Sequence, residues 1–353
     1  MGSHIKLVAL LLLSILCASC NRDGPLLLER PIVEVAEKLD QITPHLMEKN
    51  DVVGLSLGLI RNNKLVLVKS FGYADLDEKR EISRETIFKA ASLGKPVFAY
   101  VVLELSKQGV IDLDYPLYKY DGSLLVEGDP RSKEVTARMV LTHTTGVPNY
   151  GKEPKPKFWE NPGEKFEYSG HGFIYLQKII ESLTNKGLDQ LASEIVFNPL
   201  GMGSSSFSWR ESYEGAISSS YQLDKEKHKV KKEWHDPQAA WSLYTTLDDY
   251  SRFIIYTLNT STSSDSVTAL ATQPEVKVAK GVEWGLGWGL QATEPNMSFW
   301  HWGSMEGFRN YVVGYPIEQT GVIVFANSRK SFKMVDMIMA KSLGGSYPSY
   351  DWF

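Results

Sequence analysis

The sequence predicts an α+β fold, an antiparallel sheet flanked by helices with an all-helical region inserted between its early and late strands. Strand-like runs fall into two groups, Val53 to Ile60 with Leu65 to Val68 near the start, and four more beyond Trp284. Between them, from Tyr115 to about Tyr244, the chain carries helical stripes and turns. An isolated hairpin is marginal in water, so the two groups must share one sheet and the helical stretch must be an insertion. At 353 residues, with 43% hydrophobic and 23% charged content, the chain is long enough for one large or two smaller cores. A formal net charge of -4 gives no global basic surface for nucleic acid.

The elements read as follows. Lys6 and the apolar run Leu7 to Leu16, followed by Cys17-Ala18-Ser19-Cys20, read as a signal peptide over residues 1–20 rather than a spanning helix. Residues 21–30 form a polar tether. Ile32, Val35, Ala36, Leu39 and Ile42 recur at helical spacing and open the folded part. The first two strands meet at Arg61-Asn62-Asn63-Lys64, where asparagine tolerates the left-handed backbone of a tight hairpin. A polar loop then leads to Ser92. Within the insertion the clearest helix starts at Phe173, with Leu176, Ile179, Ile180 and Leu183 on one stripe, and Lys225 to Lys232 reads as a solvated hairpin or loop. The late strands are Trp284 to Leu290, Ser298 to Trp302, Tyr311 to Tyr315 and Gly321 to Phe325, followed by a helix from Val335 to Leu343. Gly285-Leu286-Gly287-Trp288-Gly289 reads as a bent, closely packed strand. This gives a sheet subdomain over 31–114 and 245–353, and a helical subdomain over 115–244. Both cysteines fall in the leader, so the mature domain has no disulfide, thiol nucleophile or thiolate metal site.

The chemistry centres on Ala91-Ser92-Leu93-Gly94-Lys95-Pro96. A hydroxyl and an amine three residues apart at a helix start share one face. Beyond them Val97, Val101 and Leu105 make an apolar stripe closed by Gly109, so the helix is buried. A lysine deprotonates serine only when neutral, and the helix N-terminus and desolvation both push Lys95 that way. The spacing alone is a common one, since Ser3 and Lys6 repeat it.

Further stretches in matching order make the chain resemble the serine beta-lactamase and penicillin-binding-protein superfamily. The branch is that of class C beta-lactamases, D-aminopeptidases, DD-carboxypeptidases and related esterases. They are Phe71-Gly72-Tyr73-Ala74-Asp75, Thr86-Ile87-Phe88, the Ser92 and Lys95 pair, Leu141-Thr142-His143-Thr144-Thr145-Gly146, and Pro162-Gly163 with Phe166, Tyr168 and Ser169. Pro199-Leu200-Gly201-Met202, Thr245-Thr246-Leu247-Asp248-Asp249 and His301-Trp302-Gly303 complete the series. The small residues before Cys20 are similar to the lipobox of bacterial lipoproteins, although Cys17 stands where that box prefers leucine. This resemblance implies an acylated Cys20 holding the protein on a membrane of the bacterial cell envelope, with secretion to the periplasm as the alternative.

The family resemblance implies a beta-lactamase/transpeptidase-like fold and an acyl-enzyme mechanism without metal or cofactor. Ser92 is the implied nucleophile, Lys95 its base and Tyr168 the partner in proton exchange, through a phenol whose pKa a nearby amine can lower. The backbone N–H groups of Ser92 and Ser304 are the implied oxyanion donors. His143 is implied to shape the scaffold. The substrate side of the cleft departs from the family pattern. His301 and Trp302 precede Gly303 where Lys-Thr-Gly is usual, which points to ester or peptide substrates rather than beta-lactams. Gly170 replaces an asparagine that binds an amide side chain, leaving space that His171 could enter. Glu306 and Arg309 flank Gly307-Phe308 on the turn expected to rim the cleft, and Arg309 is a candidate for gripping a substrate carboxylate. Trp302 and Phe308, with Trp288 or Trp300, could line the cleft. The expected substrate is a small ester, with D-amino-acid peptides or other amides and acyl transfer to an alcohol as alternatives. A penicillin-binding sensor without turnover is the competing class.

Overall fold

A computed structural model describes residues 25–228, 235–292 and 296–352. Cys20 and residues 229–232 of the charged run lie outside them. The central element is a nine-stranded sheet in the order β3-β2-β1-β11-β10-β9-β8-β7-β6. Its strands are β1 Gly54–Arg61, β2 Lys64–Asp75, β3 Arg80–Glu81, β6 Val276–Ala279, β7 Val282–Trp284, β8 Gly289–Ala292, β9 Met297–Met305, β10 Phe308–Tyr315 and β11 Thr320–Ala326. Two further strands, β4 Phe88–Ala91 and β5 Leu243–Thr245, pair apart from it. The early and late groups join where β1 pairs with β11, from Leu55 opposite Ala326 to Ile60 opposite Gly321. The Asn62-Asn63 hairpin forms as the sequence predicts, with φ of 49° and 55°.

The alternation of side chains across β1 explains the two cores. Leu55, Leu57 and Leu59 face α1 (Ile32–Lys49) and the helix Phe332–Ser342, meeting Val35, Leu39, Val322, Val324 and Ile338. Ile60, Val312, Ile323 and Phe325 face the other way, toward α2 (Gly94–Lys107) and the helix Leu247–Thr260. Each such buried aliphatic contributes about 1.5–3 kcal/mol. Because β11 is covered on both faces, all seven of its residues are buried, and it reads as a continuous apolar run.

Two expectations need correction. The run Trp284 to Leu290 is not one strand: β7 ends at Trp284, β8 begins at Gly289, and Gly285 to Trp288 turn between them. Gly287 has φ of 88°, and a Cβ there would meet the Ala99 Cβ on α2 at 2.3 Å, so the glycines buy close packing at the expense of extension. The segment before Ser92 is not all polar loop. It contains β4, fully buried and paired with β5 through Phe88 and Thr245.

Candidate active site

Ser92 lies in the turn between β4 and α2, at the junction of the sheet and the helices. Ala91 before it has φ of 54°, a left-handed conformation that costs a side-chain-bearing residue about 1–2 kcal/mol and turns the chain sharply into α2. The turn is held by the Leu93 N–H on the Ala90 carbonyl and by the Tyr250 hydroxyl on the Leu93 carbonyl, at 3.2 and 3.0 Å. Lys95 then falls on the first turn of α2 with Nζ 3.1 Å from Ser92 Oγ. A second bond, 2.6 Å, runs from Nζ to the Ala240 carbonyl.

Lys95 is 2% exposed, and burial lowers its pKa to about 7. The amine is thus half neutral near neutrality, as a base for serine requires. Its surroundings are aromatic: Nζ stands 4.8 Å from the Tyr168 ring centroid and 5.6 Å from that of Phe173.

Tyr168 reaches the site, but its pKa moves opposite to expectation. Burial raises it, and the nearby Ser92 hydroxyl opposes the rise only in part, lying outside the geometry of a formed hydrogen bond. The phenol therefore stays protonated, and the titrating group is Lys95. The enclosure comes from distant segments: Tyr168 packs on His143 at 4.3 Å and on Trp302 at 4.8 Å between centroids. His143 is a scaffold residue here. Its Nδ1 accepts the Ser169 N–H at 3.0 Å and its carbonyl the Glu167 N–H at 2.7 Å, which fixes the backbone on both sides of Tyr168.

The sheet side is formed by β9. Its first half pairs with β8, from Met297 to Trp300, whereas among the described residues His301 to Met305 pair with β10 alone, which leaves an edge at the site. A Cβ on Gly303 would lie 2.0 Å from the Ala90 carbonyl oxygen, so only glycine lets β9 approach the strand that leads into Ser92. Ser304 follows, exposed.

His301 does not line the open cleft. It is 0% exposed, its Nδ1 lies 2.7 Å from the Trp302 carbonyl, and burial with the nearby Lys95 lowers its pKa to about 3. A neutral imidazole supplies no charge for a substrate anion. Gly170 leaves no open space either: a Cβ there would meet the Tyr150 ring at 2.5 Å. His171 turns away, with Nε2 2.9 Å from the Glu153 carbonyl. Trp288, Trp300 and Phe308 are buried, so of the expected aromatic wall only Trp302 reaches the surface. Trp302, Ser304 and Arg309 do come together, lining a cleft of about 430 Å³ with Phe332, Lys333 and Tyr350. Arg309 has no ion-pair partner among the described residues. Its guanidinium donates to the Phe308 carbonyl at 2.7 Å and lies 5.8 Å from the Phe332 ring, and burial lowers its pKa to about 10.

Sequence reasoning missed Ala240 and Gln177. Ala240 acts through its carbonyl, which no side chain advertises. Gln177 braces that segment, its Oε1 accepting the Ala239 N–H at 2.8 Å and its Nε2 donating to the Pro237 carbonyl at 2.9 Å. The available signal was an amide buried on the apolar face of the helix Gly170–Thr184.

The model of the Beta-lactamase family matches residues 39–343. The chain belongs to the beta-lactamase family. Protein flp of Staphylococcus aureus (strain N315) is 22% identical over 324 residues, 84% of this chain. The chain spans 64% of the length of that relative. Among solved structures, the octameric penicillin-binding protein homologue from Pyrococcus abyssi superposes with a TM-score of 0.72 at 23% identity, covering 86% of this chain and 76% of that one. A beta-lactamase/D-alanine carboxypeptidase from Pseudomonas syringae gives 0.75 at 18% identity, covering 87% and 98%. At these identities the likeness is one of fold, the beta-lactamase fold of a large antiparallel sheet with helices.

Proposed function

We propose that this beta-lactamase-family chain is a serine hydrolase that forms an acyl-enzyme on Ser92 and acts on small esters, those carrying an anionic group above all. The observation that carries the reading is the Lys95 amine 3.1 Å from the Ser92 hydroxyl, with its pKa lowered to about 7. Ser92 Oγ attacks the carbonyl carbon while neutral Lys95 takes its proton. The N–H groups of Ser92 and Ser304 hold the oxyanion. Collapse of the tetrahedral intermediate breaks the bond to the leaving group, which takes a proton from Lys95 or through the protonated Tyr168 hydroxyl. Water then attacks the ester on Ser92, Lys95 accepts its proton, and breaking the acyl bond returns a proton to Ser92 as the acid departs.

Esters are favoured over beta-lactams because the position of the family's lysine holds a neutral, enclosed His301, and over amide-bearing acyl groups because Tyr150 fills the space beside Gly170. Arg309, without an ion-pair partner in the cleft beside Ser304, favours a carboxylate on the substrate. Comparing neutral and carboxylate-bearing aryl esters with a chromogenic cephalosporin tests the reading: ester turnover should exceed cephalosporin turnover, and the reverse order would overturn it. An acylated Cys20 remains our proposal for membrane tethering, tested by loss of radiolabelled palmitate incorporation in Cys20→Ala.

A further inference from the structure

The turn between β9 and β10 and the strand β4 each hold a residue that local chemistry does not select. Glu306 has φ of 50°, where glycine or asparagine is the cheaper choice, and it precedes Gly307 at 101°. Lys89 sits on β4, three residues before Ser92, and is 2% exposed, where an apolar side chain would be ordinary. The two meet across the structure, Lys89 Nζ lying 3.1 Å from Glu306 Oε2, with Glu306 26% exposed at the rim. A strained glutamate and a buried lysine are each unfavourable alone, and their pairing offsets part of both costs.

This pair is one of three ties between the same two segments. The Asn310 side-chain amide donates to the Lys89 carbonyl at 3.0 Å, and Gly303 lies against the Ala90 carbonyl. One segment, β4, delivers Ser92. The other, the β9–β10 hairpin, delivers Ser304. Glu306 is also gripped from the far side, where the Ser220 hydroxyl donates to its carbonyl. The hairpin tip is therefore fixed relative to β4 close to the two backbone N–H groups that the proposed mechanism uses.

We propose that Lys89 and Glu306 are positioning residues that set the spacing of the Ser92 and Ser304 N–H groups, and so the fit of the site to the tetrahedral intermediate. The inference rests on the reading of Ser92 as an acylated nucleophile. An oxyanion hole acts through geometry, and a displacement of about 1 Å can lower a rate by about 100-fold. Removing the pair should thus lower kcat and leave KM for a small ester nearly unchanged.

The test compares Glu306→Gln, Lys89→Met and the double variant by aryl-ester kinetics, affinity for an aryl boronic acid and melting temperature. The boronate adds to serine as a tetrahedral anion and reads the oxyanion hole directly. We expect kcat and boronate affinity to fall together by about 10- to 100-fold in all three variants. Glu306→Gln should melt lower, because the pair loses its charge attraction, whereas the double variant should recover stability without recovering kcat. A purely structural pair would instead restore kcat together with the melting temperature, and that result, or unchanged boronate affinity in folded Glu306→Gln, would overturn the inference. Wild-type protein that never forms an adduct on Ser92 would identify the failure as that of the proposed function.

Discussion

Lys95 Nζ stands 3.1 Å from Ser92 Oγ while its ammonium form is penalised by nearly complete burial. The same enclosure that makes the lysine a base makes the folded protein bear a cost for its charge. Activity and stability should therefore respond to the same group.

The rate should rise with pH. Lys95 is competent when neutral, so kcat/KM for a neutral aryl ester should climb through a one-proton limb with a midpoint near 7 and then level off. A pH–rate profile checks this. A limb near the ordinary lysine value would place the titrating base elsewhere.

Stability should follow the sign of the shift. Between the folded pKa of about 7 and the ordinary lysine value of 10.5, the unfolded chain holds a proton on Lys95 that the native state lacks, so this group makes stability rise with pH across that window. Below it the full cost of the buried charge is present. Lys95→Met should accordingly abolish activity yet stabilise the fold by a few kcal/mol, most clearly below pH 7. Denaturant titrations of both proteins at several pH values measure the difference.

Tyr168→Phe separates proton donation from titration. The ring still packs on His143 and Trp302, so the variant should fold. Its kcat should fall by about 100-fold, with the acid limb still near 7 because Lys95 sets that limb. Disappearance of the limb would assign the titration to the phenol.

Gly170→Asn tests whether Tyr150 closes the family's amide subsite. The new side chain would collide with a ring that a Cβ already meets at 2.5 Å, costing about 1–3 kcal/mol. Combining it with Tyr150→Ala should regain stability. Thermal denaturation of the single and double variants decides it, and a Gly170→Asn protein as stable as wild type would contradict the packing.

Arg309→Gln addresses the substrate anion. KM for a carboxylate-bearing ester should rise by about 10-fold or more, while a neutral ester of the same size is turned over as before. Equal effects on both esters would assign Arg309 to the cleft wall alone.

What the sequence revealed was what periodicity and local turn chemistry encode. The alternation of β1, the apolar run of β11 and the Asn62-Asn63 hairpin carry their own signals, and so does the Ser92 to Lys95 spacing. What it concealed depends on distant partners. β4 is four residues long and contains a buried lysine that is paired with Glu306, 217 residues away. The rise in the Tyr168 pKa comes from an enclosure that includes His143 and Trp302, so reading the amine beside the phenol without that enclosure gave the opposite direction. Ala240 contributes a carbonyl, which every residue has. The space at Gly170 looked open because Tyr150, which fills it, folds back from 20 residues earlier in the same connection, a path no periodicity encodes.

The central claim is that Ser92 becomes acylated with Lys95 as its base. Intact-protein mass spectrometry after brief exposure to a fluorophosphonate at mildly alkaline pH tests it directly. The account predicts a single adduct on wild-type protein, mapped to Ser92 by peptide analysis, slowed by acidification through pH 7 and absent in Ser92→Ala. An adduct that persists in Ser92→Ala, or wild-type protein that stays unlabelled, would contradict it.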